Sequence, residues 1–164
     1  MLTKTIQDAI NAQIQHELYS AYLYLAMSAH FEAANLVGFA KWTRAQAEEE
    51  QTHAMKFFDF INDRGGRVML KAIDQPPTEY GTPLEVFEEI LKHEQKVTGL
   101  IYKIYEAALK ENDYPTQVML QWFINEQVEE EKNAGLIVDQ LKMLGASAGS
   151  LYNYDRHVGR REEG

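Results

Sequence analysis

From Lys4 to Ala33 the chain contains neither glycine nor proline, and Ile10, Ile14, Ala21, Tyr24 and Phe31 recur at helical spacing. One long helix is the consequence. Ala34-Asn35-Leu36 leaves room only for a tight connection, so a second helix, about Val37 to Arg64, must run back antiparallel to the first. Phe39, Trp42, Phe57, Phe58 and Ile61 are its apolar positions, and Gly65-Gly66 stops it.

The segment from Arg67 to Gly81 holds Pro76-Pro77 and shows no helical period, which predicts an extended crossover. Some fifteen extended residues reach ~50 Å, whereas a helix of the second one's length spans ~42 Å. The crossover can therefore traverse the whole bundle and leave the second and third helices parallel. Thr82-Pro83-Leu84-Glu85 reads as a helix start, with Thr82 as N-cap, Pro83 at the first helical position and Glu85 completing a capping box. This third helix runs to about Glu111. Asn112-Asp113-Tyr114-Pro115 forms the second tight connection, and a fourth helix continues to Leu144, where Gly145 ends it. Ser147 to His157 can form a short fifth helix that the bundle itself does not need. The expected fold is all-α: a four-helix bundle with one long crossover and a C-terminal appendage, with residues 1–164 as a single domain.

Polar residues interrupt the inward stripes at one height. On the fourth helix, Leu120, Phe123, Gln127, Glu130, Ala134, Ile137, Leu141 and Leu144 follow a 3-4 spacing that should face the core, broken at Gln127 and Glu130. The first helix carries Glu17 between Ile14 and Ala21, the second carries Glu50 and His53 between Phe39 and Phe57, and the third carries Glu94 on the line Phe87, Leu91, Ile101. Each break falls near mid-helix, and a midpoint keeps its height whichever way the helix runs. Residues three apart share a helix face, so Glu50 and His53 in Glu50-Gln51-Thr52-His53 can close on one ion.

Burying an unpaired carboxylate costs tens of kcal/mol on the idealised Born estimate, and this layer contains four. They must be protonated, paired or metal-bound. No lysine or arginine lies on the inward stripes near mid-height. Two divalent cations would balance four carboxylates with neutral His53, and such an oxygen-rich donor set suits iron or manganese. Tyr24, on the same face as Glu17, can donate a hydrogen bond or an electron near the metals or simply pack the core. Glu49, Glu126 and Glu129 lie beside the layer, on what is ordinarily a solvated face; if that face lines a cavity, they can hold a third metal. His16, His30, His93 and His157 are expected at the surface or its boundary.

Composition narrows the function classes. With 25 acidic against 16 basic residues the net charge is −9, which disfavours nucleic acid and anionic membranes and favours cations. The absence of cysteine excludes disulfides, thiolate metal sites and cysteine catalysis. Met1 to Asp8 lacks the profile of a signal peptide and no apolar run approaches transmembrane length, so a soluble cytoplasmic protein is expected.

With these residues in place the chain resembles the ferritin-like proteins, and among them the haem-free bacterial ferritins. Glu17, Glu50, His53 and Glu94 match the di-iron bundle pattern, a Glu from each of two helices and Glu-x-x-His from the others. The fourth helix offers Gln127-x-x-Glu130 instead of a second Glu-x-x-His, which is the form of ferritins proper rather than of bacterioferritin or rubrerythrin. Gln51 stands where haem-binding bacterioferritins carry a methionine, so haem is not expected. The resemblance covers essentially the whole chain. It implies a ferroxidase and iron store, with about two dozen copies forming a hollow shell that takes up Fe(II), oxidises it with O₂ or H₂O₂ and keeps Fe(III) mineral inside. It further implies that Glu17, Glu50 and His53 hold one iron, that Glu50 bridges to a second held by Glu94 and Glu130, and that Gln127 lines that second position. A third iron would correspond to Glu49, Glu126 and Glu129, and Tyr24 to a tyrosine beside the centre. The alternatives are a rubrerythrin-like di-iron peroxidase or oxidase without storage, and a catalytically silent bundle used for assembly.

Overall fold

A computed structural model describes residues 1–160; the last four positions of the expected 1–164 domain lie outside the described residues. Five helices follow in order: α1 (Lys4–Ala33), α2 (Val37–Asp63), α3 (Pro83–Lys110), α4 (Tyr114–Leu144) and α5 (Ala148–Val158). The helix ends explain the boundaries. α1, α2 and α3 close identically, with Asn35, Gly65 and Asn112 in the left-handed region at φ 59°, 69° and 55°. In each case the next amide bonds back five residues: Leu36 to Phe31, Gly66 to Ile61 and Asp113 to Ala108, all at 2.9 Å. The capping box at Thr82 and Glu85 forms as the sequence predicts. α4 starts earlier than expected, because Asp113 caps it through the Thr116 amide and Pro115 sits inside its first turn, where a missing N–H costs nothing.

The crossover runs along α1. Gln7, Asn11 and Gln15, spaced one turn apart, bond the backbone of Arg67, Met69 and Ala72, and His30 near the other end of α1 meets the Gly81 carbonyl at 3.2 Å. An extended segment without a sheet partner thus satisfies its polar groups on one polar stripe. It also returns the chain to the end where α2 began, leaving α2 and α3 parallel.

The core divides into two apolar clusters. One gathers Met27, Phe31, Phe39, Trp42, Phe87, Val138 and Leu141; the other gathers Ile6, Ile10, Ile14, Phe57, Ile61, Ile101, Leu120 and Phe123. Aromatic rings tighten both: Phe31, Phe39 and Phe87 have centroids 5.3 to 6.0 Å apart, and Phe57 stacks on Phe123 at 3.9 Å. Two stripe positions differ from the expected rotation. Ala21 and Leu91 are only half-buried, whereas Ser20 and Ile90 are fully buried.

The fifth helix does more than the sequence suggests. α2 has Leu36 at its N-cap, with no side-chain cap of its own. Asp155 of α5 supplies one, accepting from the Gly38 and Phe39 amides at 3.1 and 2.8 Å. The approach is so close that a Cβ on Gly38 would lie 1.6 Å from the Asp155 carbonyl oxygen. We expect Asp155→Ala to cost ~1 to 2 kcal/mol, seen as a lower Tm of the metal-free protein. Gly38→Ala should cost more and free α5 to proteolysis. Unchanged melting in both variants would show that α5 does not brace α2.

Candidate metal centre

Between the two apolar clusters lies a polar layer to which α1 to α4 all contribute. Glu17, Glu50 and Glu94 are each 1 % exposed, and His53, Gln127 and Glu130 each 3 %, so every one of them is out of water. Two sets of donor atoms converge there. Atoms of Glu17, Glu50 and His53 lie within 4.8 Å of one another, as do atoms of Glu49, His53, Glu126 and Glu130. His53 joins the two: its Nδ1 lies 3.6 Å from Glu50 Oε2 and its Nε2 lies 3.8 Å from Glu126 Oε1.

Glu94 belongs to neither set, because other groups hold it. The Tyr24 hydroxyl donates to Oε1 in a very short hydrogen bond, and Gln127 Nε2 donates to Oε2 at 3.1 Å and to the Glu94 carbonyl at 3.2 Å. Tyr24 is therefore a hydrogen-bonding member of the layer as well as a core residue. Glu49 and Glu126 are half-buried at the layer's edge; Glu129 is exposed and falls in neither set.

Burial sets the electrostatics. It pushes the Glu50 carboxyl well above its ordinary range, helped by the negative charges of Glu17 and Glu94, a hydrogen bond shared with Glu17, and the charge of Glu130. Glu94 is pushed up to about 7 by burial, held back by the hydrogen bonds from Tyr24 and Gln127, with Glu17 and Glu131 adding to the rise. Burial also lowers His53 below its usual value against the pull of Glu17 and Glu49, which keeps the imidazole neutral and its lone pair free for a cation. Without metal the layer stores protons; a divalent cation can replace them.

Sequence patterns passed over several polar side chains here, of which Gln13 and Gln46 are buried and Thr98 half-buried. Gln13 donates to Glu17 Oε1 at 2.7 Å and Gln46 donates to Glu130 Oε2 at 2.5 Å. Thr98 donates to Glu131 Oε1 at 2.7 Å and also meets Gln127. The available signal was spacing, since Gln13 and Gln46 each precede a layer carboxylate by one turn. His93, at the boundary as expected, turns from the layer to Ser20, 2.7 Å away, and burial pushes it down to about 4. His16 and His30 are half-buried and His157 is exposed.

Four helices enclosing a buried layer of carboxylates and one imidazole define a metal-binding bundle of the carboxylate class. The chain belongs to the ferritin family, with residues 7–144 matching its ferritin-like domain. It is 44% identical to a bacterial non-heme ferritin of Bacteroides fragilis over 161 residues, covering 98% of this chain and 100% of that one. It is 41% identical to a bacterial non-heme ferritin of Staphylococcus saprophyticus, covering 98% and 96%. Among solved structures, an open pore ferritin from the hyperthermophilic archaeon Archaeoglobus fulgidus superposes with a TM-score of 0.97 at 43% identity, covering 99% of this chain and 100% of that one.

The proton store makes the metal-free protein sensitive to pH. Below about 4.5 Glu94 is protonated whether the chain is folded or not; between 4.5 and about 7 the unfolded chain releases a proton that the folded one retains. Stability should therefore fall as pH rises through that window, by roughly 3 kcal/mol for this group, with Glu50 acting in the same direction. Melting of metal-free protein across pH 4.5 to 7 checks this. Glu94→Gln should flatten the decline, and a wild-type profile that is flat or rising would contradict it.

Proposed function

We propose that this protein stores and detoxifies iron as a ferroxidase, oxidising Fe(II) with O₂ or H₂O₂ within each subunit and depositing Fe(III) mineral inside a homo-oligomeric shell. The observation that carries this reading is the layer itself: four carboxylates and one neutral imidazole, nearly inaccessible to water and flanked by apolar clusters. Membership in the ferritin family supports iron as the cation and a 24-subunit shell as the assembly. Each chain acts as one ferritin-like domain, without haem, in the cytoplasm.

In this reading Glu17, Glu50 and His53 take one Fe(II), while Glu50, shared between ions, takes a second with Glu94 and Glu130. Gln127 and Tyr24 orient Glu94 at the second position. Each Fe(II) gives one electron to O₂, which takes up two protons and leaves as H₂O₂; the carboxylates stabilise the two Fe(III) ions that remain. Glu49 and Glu126, which share the outer set with His53 and Glu130, hold a third iron, and exposed Glu129 completes that acidic face toward solvent.

Glu50→Ala and His53→Ala should slow initial Fe(II) oxidation by roughly tenfold or more, because even the partners of metal ligands are worth ~10–100-fold. Assembly should persist. Stopped-flow absorbance of the ferric product checks the first point and size exclusion the second, and unchanged initial oxidation in both variants would refute the site. Aerobic Fe(II) loading followed by sizing tests storage: a very large particle retaining its iron is expected. A small oligomer that oxidises and then releases iron would mark a rubrerythrin-like oxidase instead.

A further inference from the structure

Two of the buried glutamines stand outside the proposed ligand set, and each touches one carboxylate in it. Gln13 lies one turn before Glu17 on α1, is 1 % exposed, and donates from Nε2 to Glu17 Oε1 at 2.7 Å. Gln46 lies one turn before Glu50 on α2, is fully buried, and reaches across to α4 to donate from Nε2 to Glu130 Oε2 at 2.5 Å. A carboxylate on a glutamate side chain turns readily about its last torsion and offers lone pairs in several directions. One fixed N–H donor on one oxygen sets the plane of the group and with it the direction from which a cation meets the carboxylate. The carboxamide brings no charge, so it orients the ligand without competing with the ion.

Glu50 is shared between the two ions of the proposed centre, Glu17 serves only the first, and Glu130 does not serve the first. Each glutamine therefore addresses one position. We propose that Gln13 and Gln46 are positioning residues that separately set the cation affinity of the two positions, Gln13 through Glu17 and Gln46 through Glu130. The inference rests on the two-ion reading above but concerns binding, not oxidation. Loss of such a partner typically costs ~10–100-fold in metal affinity.

Gln→Met keeps the length and volume of the side chain and removes the N–H donor. Assembled, metal-stripped protein is titrated with Zn(II) by calorimetry, and Zn(II)-soaked crystals give the occupancy of each position by anomalous scattering. Gln13→Met should weaken the position at Glu17 by ~10–100-fold and spare the one at Glu130, and Gln46→Met should do the reverse. A purely structural role would weaken both positions together, and that result, or unchanged binding at both, overturns the proposal. Wild-type crystals loaded with Zn(II) test it without any variant. Each Nε2 should remain on its carboxylate with the metal bound, and loss of both hydrogen bonds on loading overturns it as well. Wild-type protein that binds no pair of Zn(II) ions rejects the proposal together with the two-ion reading. Normal position-selective binding without Fe(II) oxidation rejects the ferroxidase reading alone.

Discussion

Taking four carboxylates out of water is the constraint to which the rest of this protein answers. Idealised transfer of one such ion costs on the order of 20 kcal/mol, and the effective cost in a real interior is still several. Glu17, Glu50, Glu94 and Glu130 all sit between apolar clusters, so no neighbouring solvent relieves them. Protonation of Glu50 and Glu94 removes charge, and donors from Gln13, Tyr24, Gln46 and Gln127 occupy oxygens on Glu17, Glu94 and Glu130. These devices lower the cost without removing it. A divalent cation would supply the charge that such an interior lacks, which is the physical basis of the proposed site.

Holding such a layer together requires a scaffold with its own stability. The aromatic stacks above and below the carboxylates provide it, together with helix ends that leave few backbone groups unsatisfied. The crossover has a more specific part. By pairing its backbone with Gln7, Asn11 and Gln15 it runs the length of α1 and starts α3 level with α2. Glu50 and Glu94, each near the middle of its helix, therefore meet at one height on parallel helices, whereas a short turn would have made α3 antiparallel to α2.

Local signals made most of this legible. Unbroken periodicity, the Thr82 capping box and the stops at Gly65-Gly66 and Gly145 placed the helix ends to within two residues, the largest difference being at α4, where Tyr114 and Pro115 belong to the first turn. The carboxylate layer was legible because charge on an apolar stripe is conspicuous. Glutamine is not: Gln13 and Gln46 look like ordinary helix-surface residues until the crossing of α1, α2 and α4 buries them. Ser20 and Ala21 exchange roles because a stripe defines a face only to within about one residue's rotation of 100°. Asp155 was beyond local reading altogether, since its partners lie 116 and 117 residues away in sequence.

The acidic residues outside the layer gain meaning from their order of burial. Glu129 is exposed, Glu49 and Glu126 are half-buried, and Glu50 and Glu130 are closed to water. His53 stands where the half-buried and buried groups meet, one ring nitrogen toward Glu126 and the other toward Glu50. A protonated imidazole there would repel an incoming cation, but burial lowers its proton affinity and leaves it neutral. Under the proposed function a cation moving along this series exchanges water for carboxylate oxygens step by step, never crossing apolar surface with its charge unbalanced. The same burial that keeps His53 neutral holds protons on Glu50 and Glu94, so arrival of a cation and departure of protons are two faces of one exchange.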